Sequence, residues 1–259
     1  MKRILVTGAN GQLGKTLKRQ NQGSEDHWVF CGREELDITN SHAIVSFLEN
    51  QDFDFCVNCA AYTNVERAEK EIEEAQRINV VAVKNLVSAC NEKKITLLHV
   101  STDYVFDGKK NNPYIETDVT APLNQYGKSK LQGEQYIEQN AAAFYIIRTS
   151  WLYSKILGAN FYSAILNKAK QGEPLTVVND QVGTPTDVEH LAEFLIKIIE
   201  KEPEHGLYHF SDERIMSWYD FAVEIVKEHQ LDASVTPSTT KSGGAVRPRY
   251  TPLISNKKF

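Results

Sequence analysis

An α/β fold, a doubly wound parallel sheet of the Rossmann type with a smaller C-terminal lobe, is what this sequence predicts. Three observations predict it. Apolar runs without polar alternation recur along the first 150 residues, separated by segments of helical periodicity, as in parallel strands covered on both faces. Gly8-x-x-Gly11-x-x-Gly14 closes the first apolar run and opens a helix. Past Arg148 the alternation loosens into shorter, mixed segments.

Taken in order, Arg3–Thr7 is a continuous β-rich run, followed by a helix from about Gly11 to Gln20. Trp28–Cys31 reads as a second short strand. Ser41–Asn50 has helical spacing, with Asn40 or Ser41 as its cap. Phe53–Asn58 is a third strand and Glu73–Glu92 one long helix. Ile95–Val100 and Phe144–Arg148 are the fourth and fifth strands, with a helix carrying Tyr126 between them. Further on, Asn160–Lys170, Val188–Glu200 and Trp218–His229 are helical, while Pro174–Val178 and Leu207–Phe210 are extended. Ser238–Gly244 is a low-complexity loop. The expected organisation is a dinucleotide-binding domain over residues 1–150, to which a stretch of about 187–212 returns, and a substrate lobe over most of 151–259. Ligands are expected at the carboxyl ends of the strands.

At 259 residues, 41% hydrophobic and 24% charged, the chain can bury a large core. A net charge of −5 and the lack of any basic stripe argue against nucleic acid as a partner. No apolar run approaches transmembrane length, so no membrane is expected. The N-terminus enters a strand without the pattern of a secretory signal, which makes the cytoplasm the expected location. Cys56-x-x-Cys59 has redox or zinc spacing, but no second pair accompanies it, and the expectation is core packing.

The glycine motif follows a strand and opens a helix, the context a dinucleotide pyrophosphate requires. Gly8 makes the tight turn, Gly11 admits backbone to phosphate and Gly14 allows close helix–strand packing, with Asn10, Gln12 and Leu13 between them. At the end of the second strand Arg33 stands where the 2′-phosphate of NADPH would lie, which favours NADPH over NADH. The alternative is that Arg33 pairs in solvent with Glu34 or Glu35. Asp37 and Ile38 are candidates for the adenine end.

The chemistry is read from Ser101-Thr102-Asp103 at the end of the fourth strand and from Tyr126-Gly-Lys-Ser-Lys130. Four residues apart on a helix, Tyr126 and Lys130 share one face, so the cation can depress the phenol's pKa. Thr102 could hydrogen-bond a substrate carbonyl, and Tyr126 could give it a proton as hydride arrives. Bringing a phenol three units towards neutrality takes about 4 kcal/mol, to which Lys130, an oxidised nicotinamide and a dry pocket would contribute. Arg247 and Arg249 are the best local cations for a diphosphate, or else two solvated arginines.

Over nearly its whole length the sequence resembles the extended short-chain dehydrogenase/reductases, and among them the dTDP-4-dehydrorhamnose reductase family. The motifs are TGANGQLG (7–14), NCAAYTNVERAE (58–69), STDYVFDG (101–108), APLNQYGKSKLQGE (121–134), RTSWLY (148–153), NDQVGTPT (179–186) and RPRYTPL (247–253). The resemblance implies NADPH-dependent reduction of the C4 carbonyl of dTDP-4-dehydro-L-rhamnose. Tyr126 matches the proton donor, Lys130 the group holding the nicotinamide ribose, and Thr102 the hydroxyl partner. Gly11, Gln12 and Leu13 fall on pyrophosphate positions, and Ala60, Ala61, Tyr62 and Thr63 beside the cofactor. Asp103, Tyr104 and Trp151 fall where the family meets the sugar, and Arg247 is carried with them towards the substrate. Asn79 stands where the superfamily often has a non-catalytic asparagine.

For some members the resemblance also carries a magnesium site and a homodimer. The chain ends at Asn256-Lys257-Lys258-Phe259, where relatives continue into a final helix, and that weakens both carry-overs. Two other functions share the fold: a non-catalytic NADP-binding regulatory subunit of the methionine adenosyltransferase type, and a nucleotide-sugar epimerase or dehydratase. The intact Thr102, Tyr126 and Lys130 favour a reductase, because a pure binder has no chemical need for all three.

Overall fold

The computed structural model describes residues 1–257; Lys258 and Phe259, at the end on which the expected missing helix turns, lie outside the described residues. Six parallel strands form the central sheet: β1 (Arg3–Thr7), β2 (His27–Cys31), β3 (Phe55–Asn58), β4 (Thr96–Thr102), β5 (Phe144–Thr149) and β10 (Gly206–His209). Their spatial order is β10-β5-β4-β3-β1-β2. The chain steps outward from β1 to β2 and then back across β1 to β3, so the order reverses between β1 and β3. That reversal opens a crevice at their carboxyl ends.

Adjacent strand residues face opposite sides of the sheet, and both sides are apolar. Ile4, Val6, Val57 and Leu98 pack with Leu13 and Leu17 of α1 (Gln12–Gln20) and Leu191 and Leu195 of α8 (Val188–Lys201). Leu5, Cys56, Leu97 and Ile146 face the other way. They meet Ile44 and Leu48 of α2 (Ser41–Leu48), Leu86 and Val87 of α5 (Ala82–Lys93) and Ile137 of α6 (Gln125–Asn140). Burying both faces is what lets these strands read as unbroken apolar runs. Cys56 and Cys90 lie in this packing, and all four cysteines are free thiols.

A second core belongs to the C-terminal portion. There α7 (Phe161–Lys170), α9 (Trp218–Glu228), β7 (Leu175–Val178) and β12 (Val235–Ser238) enclose Tyr162, Ile165, Leu175, Phe221 and Ile225. The short strands β6 (Leu152–Tyr153), β8 (Val182–Gly183), β9 (Thr186–Asp187) and β11 (Met216–Ser217) pair only two residues each, and no periodicity over two residues could announce them.

Three local details bear on the site. Asn40, rather than Ser41, caps α2, its side chain accepting the Ala43 N–H. The helix expected over Glu73–Glu92 is present as a continuous helical run, with a π turn at Arg77–Val81 between α4 (Ile72–Gln76) and α5. And β4 runs two residues further than its apolar stretch, because Ser101 and Thr102 still pair with Arg148 and Thr149 of β5. A polar residue is no obstacle to a strand when the ladder satisfies its backbone.

Candidate active site

Two adjoining cavities open along the carboxyl edge of the sheet and share Gly11, Cys59 and Ala61. The first, of about 340 Å³, is lined by Gly8, Asn10, Gly11, Arg33, Asp37, Ile38, Ala60 and Ala61, together with Gly32, Leu36, Thr39 and Ile78. The second, of about 490 Å³, is lined by Gln12, Leu13, Gly14, Thr63, Thr102, Asp103, Tyr104, Tyr126, Lys130 and Trp151, with Trp218 across from them. Nearly every residue expected at the site therefore meets in one groove, drawn from β1, β2, β3, β4 and α6.

The first cavity is built on the glycine turn that follows β1. Gly8 sits at φ +68°, and a Cβ there would come within 2.5 Å of the Ala60 backbone nitrogen, so only glycine fits. Gly11 is the N-cap of α1 with no side chain closing it, and the first residues of that helix, Gln12, Leu13 and Gly14, line the second cavity. Arg33 is two-thirds exposed, 3.9 Å from Asp37. It pairs with neither Glu34 nor Glu35; Glu35 instead accepts the Gly32 N–H at 2.8 Å and shapes the loop. The Asp37 carboxylate accepts from the backbone and the hydroxyl of Thr39. Burial opposes its charge, but these bonds outweigh burial and hold it below the usual carboxylate range.

Tyr62 departs from the pattern. Its hydroxyl turns to Glu71 at 2.6 Å, and its ring lines neither cavity. Its backbone carries the positioning: the Tyr62 N–H donates to Asn79 Oδ1 at 2.9 Å, and Asn79 Nδ2 donates to the Tyr62 carbonyl and to Ser129 of α6. The π turn thus aims Asn79 between the β3 loop and the helix of Tyr126, a use to which π turns are often put.

Tyr126 lies edge-on to Tyr104, ring centroids 5.7 Å apart. Burial pushes its phenol pKa up, and the Thr102 hydroxyl opposes that shift. The expected depression by Lys130 does not operate here: the Lys130 Nζ is committed to His99 Nε2 at 3.0 Å and to the Val100 carbonyl at 2.8 Å. Burial draws Lys130 itself down to about 8, against the pull of Glu134.

Asp103 lines the second cavity but is itself buried, its carboxylate engaged by neighbouring hydroxyls. Its carboxylate accepts from Thr102 at 3.1 Å and from Thr251 at 2.5 Å, tying the C-terminal segment to the end of β4. Burial raises it from 3.8 to about 6. Between those values the folded chain binds the proton that the unfolded chain releases, so stability falls as pH rises through that window. In urea unfolding we expect the wild type to lose roughly 2 kcal/mol relative to Asp103→Asn between about pH 4 and pH 6. Parallel pH dependences in the two proteins would reject the assignment.

Trp151 adopts φ +46°, a left-handed turn straight after β5 that throws its ring into the cleft. The ring stacks on Trp218 with centroids 3.5 Å apart, and Gly183 lies so close that a Cβ would meet Trp151 Cε2 at 2.4 Å. Phe161 extends this wall, 4.4 Å from Trp218. Trp218 and Phe161 escaped sequence reasoning because nothing local marks an aromatic on an amphipathic helix as facing another lobe. Arg247 reaches Tyr104 Oη at 3.3 Å and Glu66 at 3.0 Å, lining a third hollow of about 660 Å³ with Thr240 and Lys241. Arg249 is exposed and lines none of the three.

Among the described residues no group of three or more His, Cys, Asp or Glu side chains could hold a metal ion. No helix among them is long and apolar enough to cross a membrane.

Comparison with known proteins narrows the reading. The RmlD substrate binding domain family matches residues 1–258. A dTDP-4-dehydrorhamnose reductase from Aggregatibacter actinomycetemcomitans is 42% identical over 234 residues, covering 88% of this chain and 79% of its own. The crystal structure of a dTDP-4-dehydrorhamnose reductase from Clostridium acetobutylicum superposes with a TM-score of 0.93 at 40% identity, covering 97% and 90%. That of the Bacillus anthracis dTDP-4-dehydrorhamnose reductase, in complex with NADP, gives 0.92 at 36%, covering 97% and 89%.

Proposed function

The chain belongs to the RmlD substrate binding domain family, with dTDP-4-dehydrorhamnose reductases among its relatives, and on that footing we propose that it reduces the C4 carbonyl of dTDP-4-dehydro-L-rhamnose to give dTDP-L-rhamnose. One observation carries the reading: Thr102, Tyr126 and Lys130 line a cavity that adjoins the glycine-lined one at β1 and α1, the two having Gly11, Cys59 and Ala61 in common. Reduced nicotinamide, when bound, supplies the hydride. Gly8, Gly11 and the open start of α1 would hold the pyrophosphate, and Arg33 the 2′-phosphate of NADPH. Thr102 orients the carbonyl oxygen, and Tyr126, kept protonated by its surroundings, gives that oxygen its proton. The stacked Trp151 and Trp218 form an apolar wall that excludes water from the reacting face.

The direct test is NADPH oxidation on addition of dTDP-4-dehydro-L-rhamnose, with dTDP-L-rhamnose identified as product. No oxidation by a chain that binds NADPH would reject the proposal. Arg33→Ala is expected to raise the KM for NADPH by about 10–100-fold, the worth of a charge-assisted hydrogen bond, while the KM for NADH stays within about twofold. Equal changes for both cofactors would mean that Arg33 does not read the 2′-phosphate.

A further inference from the structure

Ala245, Val246 and Arg247 follow one another in the chain, and each is fastened to a side chain from the N-terminal half. Glu66 of α3 (Val65–Ala68) makes two of these contacts: Oε2 accepts the Ala245 N–H at 2.9 Å, and Oε1 accepts Arg247 Nη2 at 3.0 Å. Asn124 holds the residue between them. Its Nδ2 donates to the Val246 carbonyl at 2.9 Å, while its Oδ1 caps α6 by accepting the Gly127 N–H. Arg247 Nη1 donates to Tyr104 Oη at 3.3 Å.

These contacts lie on a border. Trp218 lines both the second cavity and the third hollow; Tyr104 lines the first of these, and Arg247 and Glu66 the other. The segment that carries Arg247 is irregular and follows Gly243, at φ +103°. An arginine on such a segment has many rotamers to lose when it meets an anion. Here one carboxylate fixes both the backbone beside the guanidinium and the guanidinium itself. Its close approach depends on Gly244, where a Cβ would come within 2.6 Å of Glu66 Oε2. Glu66 is half exposed, so the pair adds little to stability, and its effect is on where Arg247 stands. Lys241 also lines the hollow, so the border keeps a net positive charge although Glu66 offsets one cation.

We propose that Glu66 is a positioning residue: it holds Arg247 at the border between the second cavity and the third hollow, set to meet the diphosphate of a nucleotide sugar. This role rests on the reductase reading and deepens it. Glu66 touches no phosphate itself and acts through Arg247. The guanidinium fork keeps Nη2 on Glu66 while its other N–H groups turn to the anion. Charge alone predicts that removing the carboxylate strengthens diphosphate binding, since a repelling group has gone. Positioning predicts the reverse, because the freed cation must be ordered again each time the anion binds.

Calorimetric titration of the whole chain with dTDP separates the two and needs no turnover. Glu66→Ala is expected to weaken dTDP about tenfold, the worth of ordering one long side chain beforehand. Gly244→Ala should act in the same direction, because its Cβ displaces the carboxylate and alters no charge. On an Arg247→Ala background, Glu66→Ala should change dTDP affinity by less than about twofold, whereas a structural role would repeat the full loss. Amide exchange at Ala245 should quicken in both single variants. An affinity that is unchanged or tighter in Glu66→Ala overturns the proposal. So does a full loss repeated without Arg247, or a wild type that binds no dTDP. Where Glu66→Ala does not fold, Gly244→Ala decides. In turnover the KM for the nucleotide sugar should rise while kcat stays within about threefold. A wild type that binds dTDP but oxidises no NADPH would reject the reductase reading and leave the role of Glu66 standing.

Discussion

Tyr126→Phe is expected to slow NADPH-dependent reduction of dTDP-4-dehydro-L-rhamnose by about 10²–10⁴-fold, the usual contribution of a positioned general acid. Phenylalanine keeps the ring and its edge-on contact with Tyr104 and removes only the hydroxyl. The cradle of Gly8 and Gly11 is untouched, so the dissociation constant for NADPH should stay within about threefold by fluorescence titration. A kcat within tenfold of the wild type would place the proton donor elsewhere. Loss of NADPH binding would mean that the hydroxyl holds cofactor rather than substrate.

Glu134→Ala carries the largest expected effect on stability. Glu134 and Arg148 are almost wholly buried, and the carboxylate takes Arg148 Nε at 3.0 and 3.1 Å and Nη2 at 2.6 Å. Arg148 also stands over the Phe106 ring, 5.2 Å from its centroid, with its other terminal nitrogen buried and unpartnered. Deleting the carboxylate leaves a buried guanidinium without a counter-charge, a loss of about 3–5 kcal/mol. Guanidinium-chloride unfolding should show the midpoint falling with little change in slope. The double variant Glu134→Leu/Arg148→Met should regain most of that loss, since a buried pair often stabilises no better than apolar side chains of similar size. A double variant as unstable as Glu134→Ala would show that packing, not charge, sets the effect.

The two effects separate because they act two turns apart along α6. Tyr126 opens to the cleft, while Glu134, two turns further on, reaches the sheet through Arg148. Lys130 stands between them and is subject to both. Removing Glu134 takes away the one charge that draws Lys130 towards its ammonium form.

Periodicity and glycine spacing determined the sheet's main strands, the helices between them and the cradle at Gly8, because those signals are local. A strand buried on both faces must be apolar throughout, and a turn at positive φ must be glycine wherever the rest of the chain goes. The partnership of Thr102, Tyr126 and Lys130 was legible in the same way, since a strand end and one turn of a helix set it. Tertiary structure alone decided the rest. It showed that Tyr62 serves through its backbone, that Asp103 anchors Thr251, and that Trp218 from α9 completes the wall begun by Trp151. It also showed that Lys130 answers to His99 rather than to the phenol. Hydrogen-bond direction and burial depend on which atoms meet in space, and residues 58, 99 and 130 meet only after the chain has crossed the sheet from β3 to β4 and returned along α6.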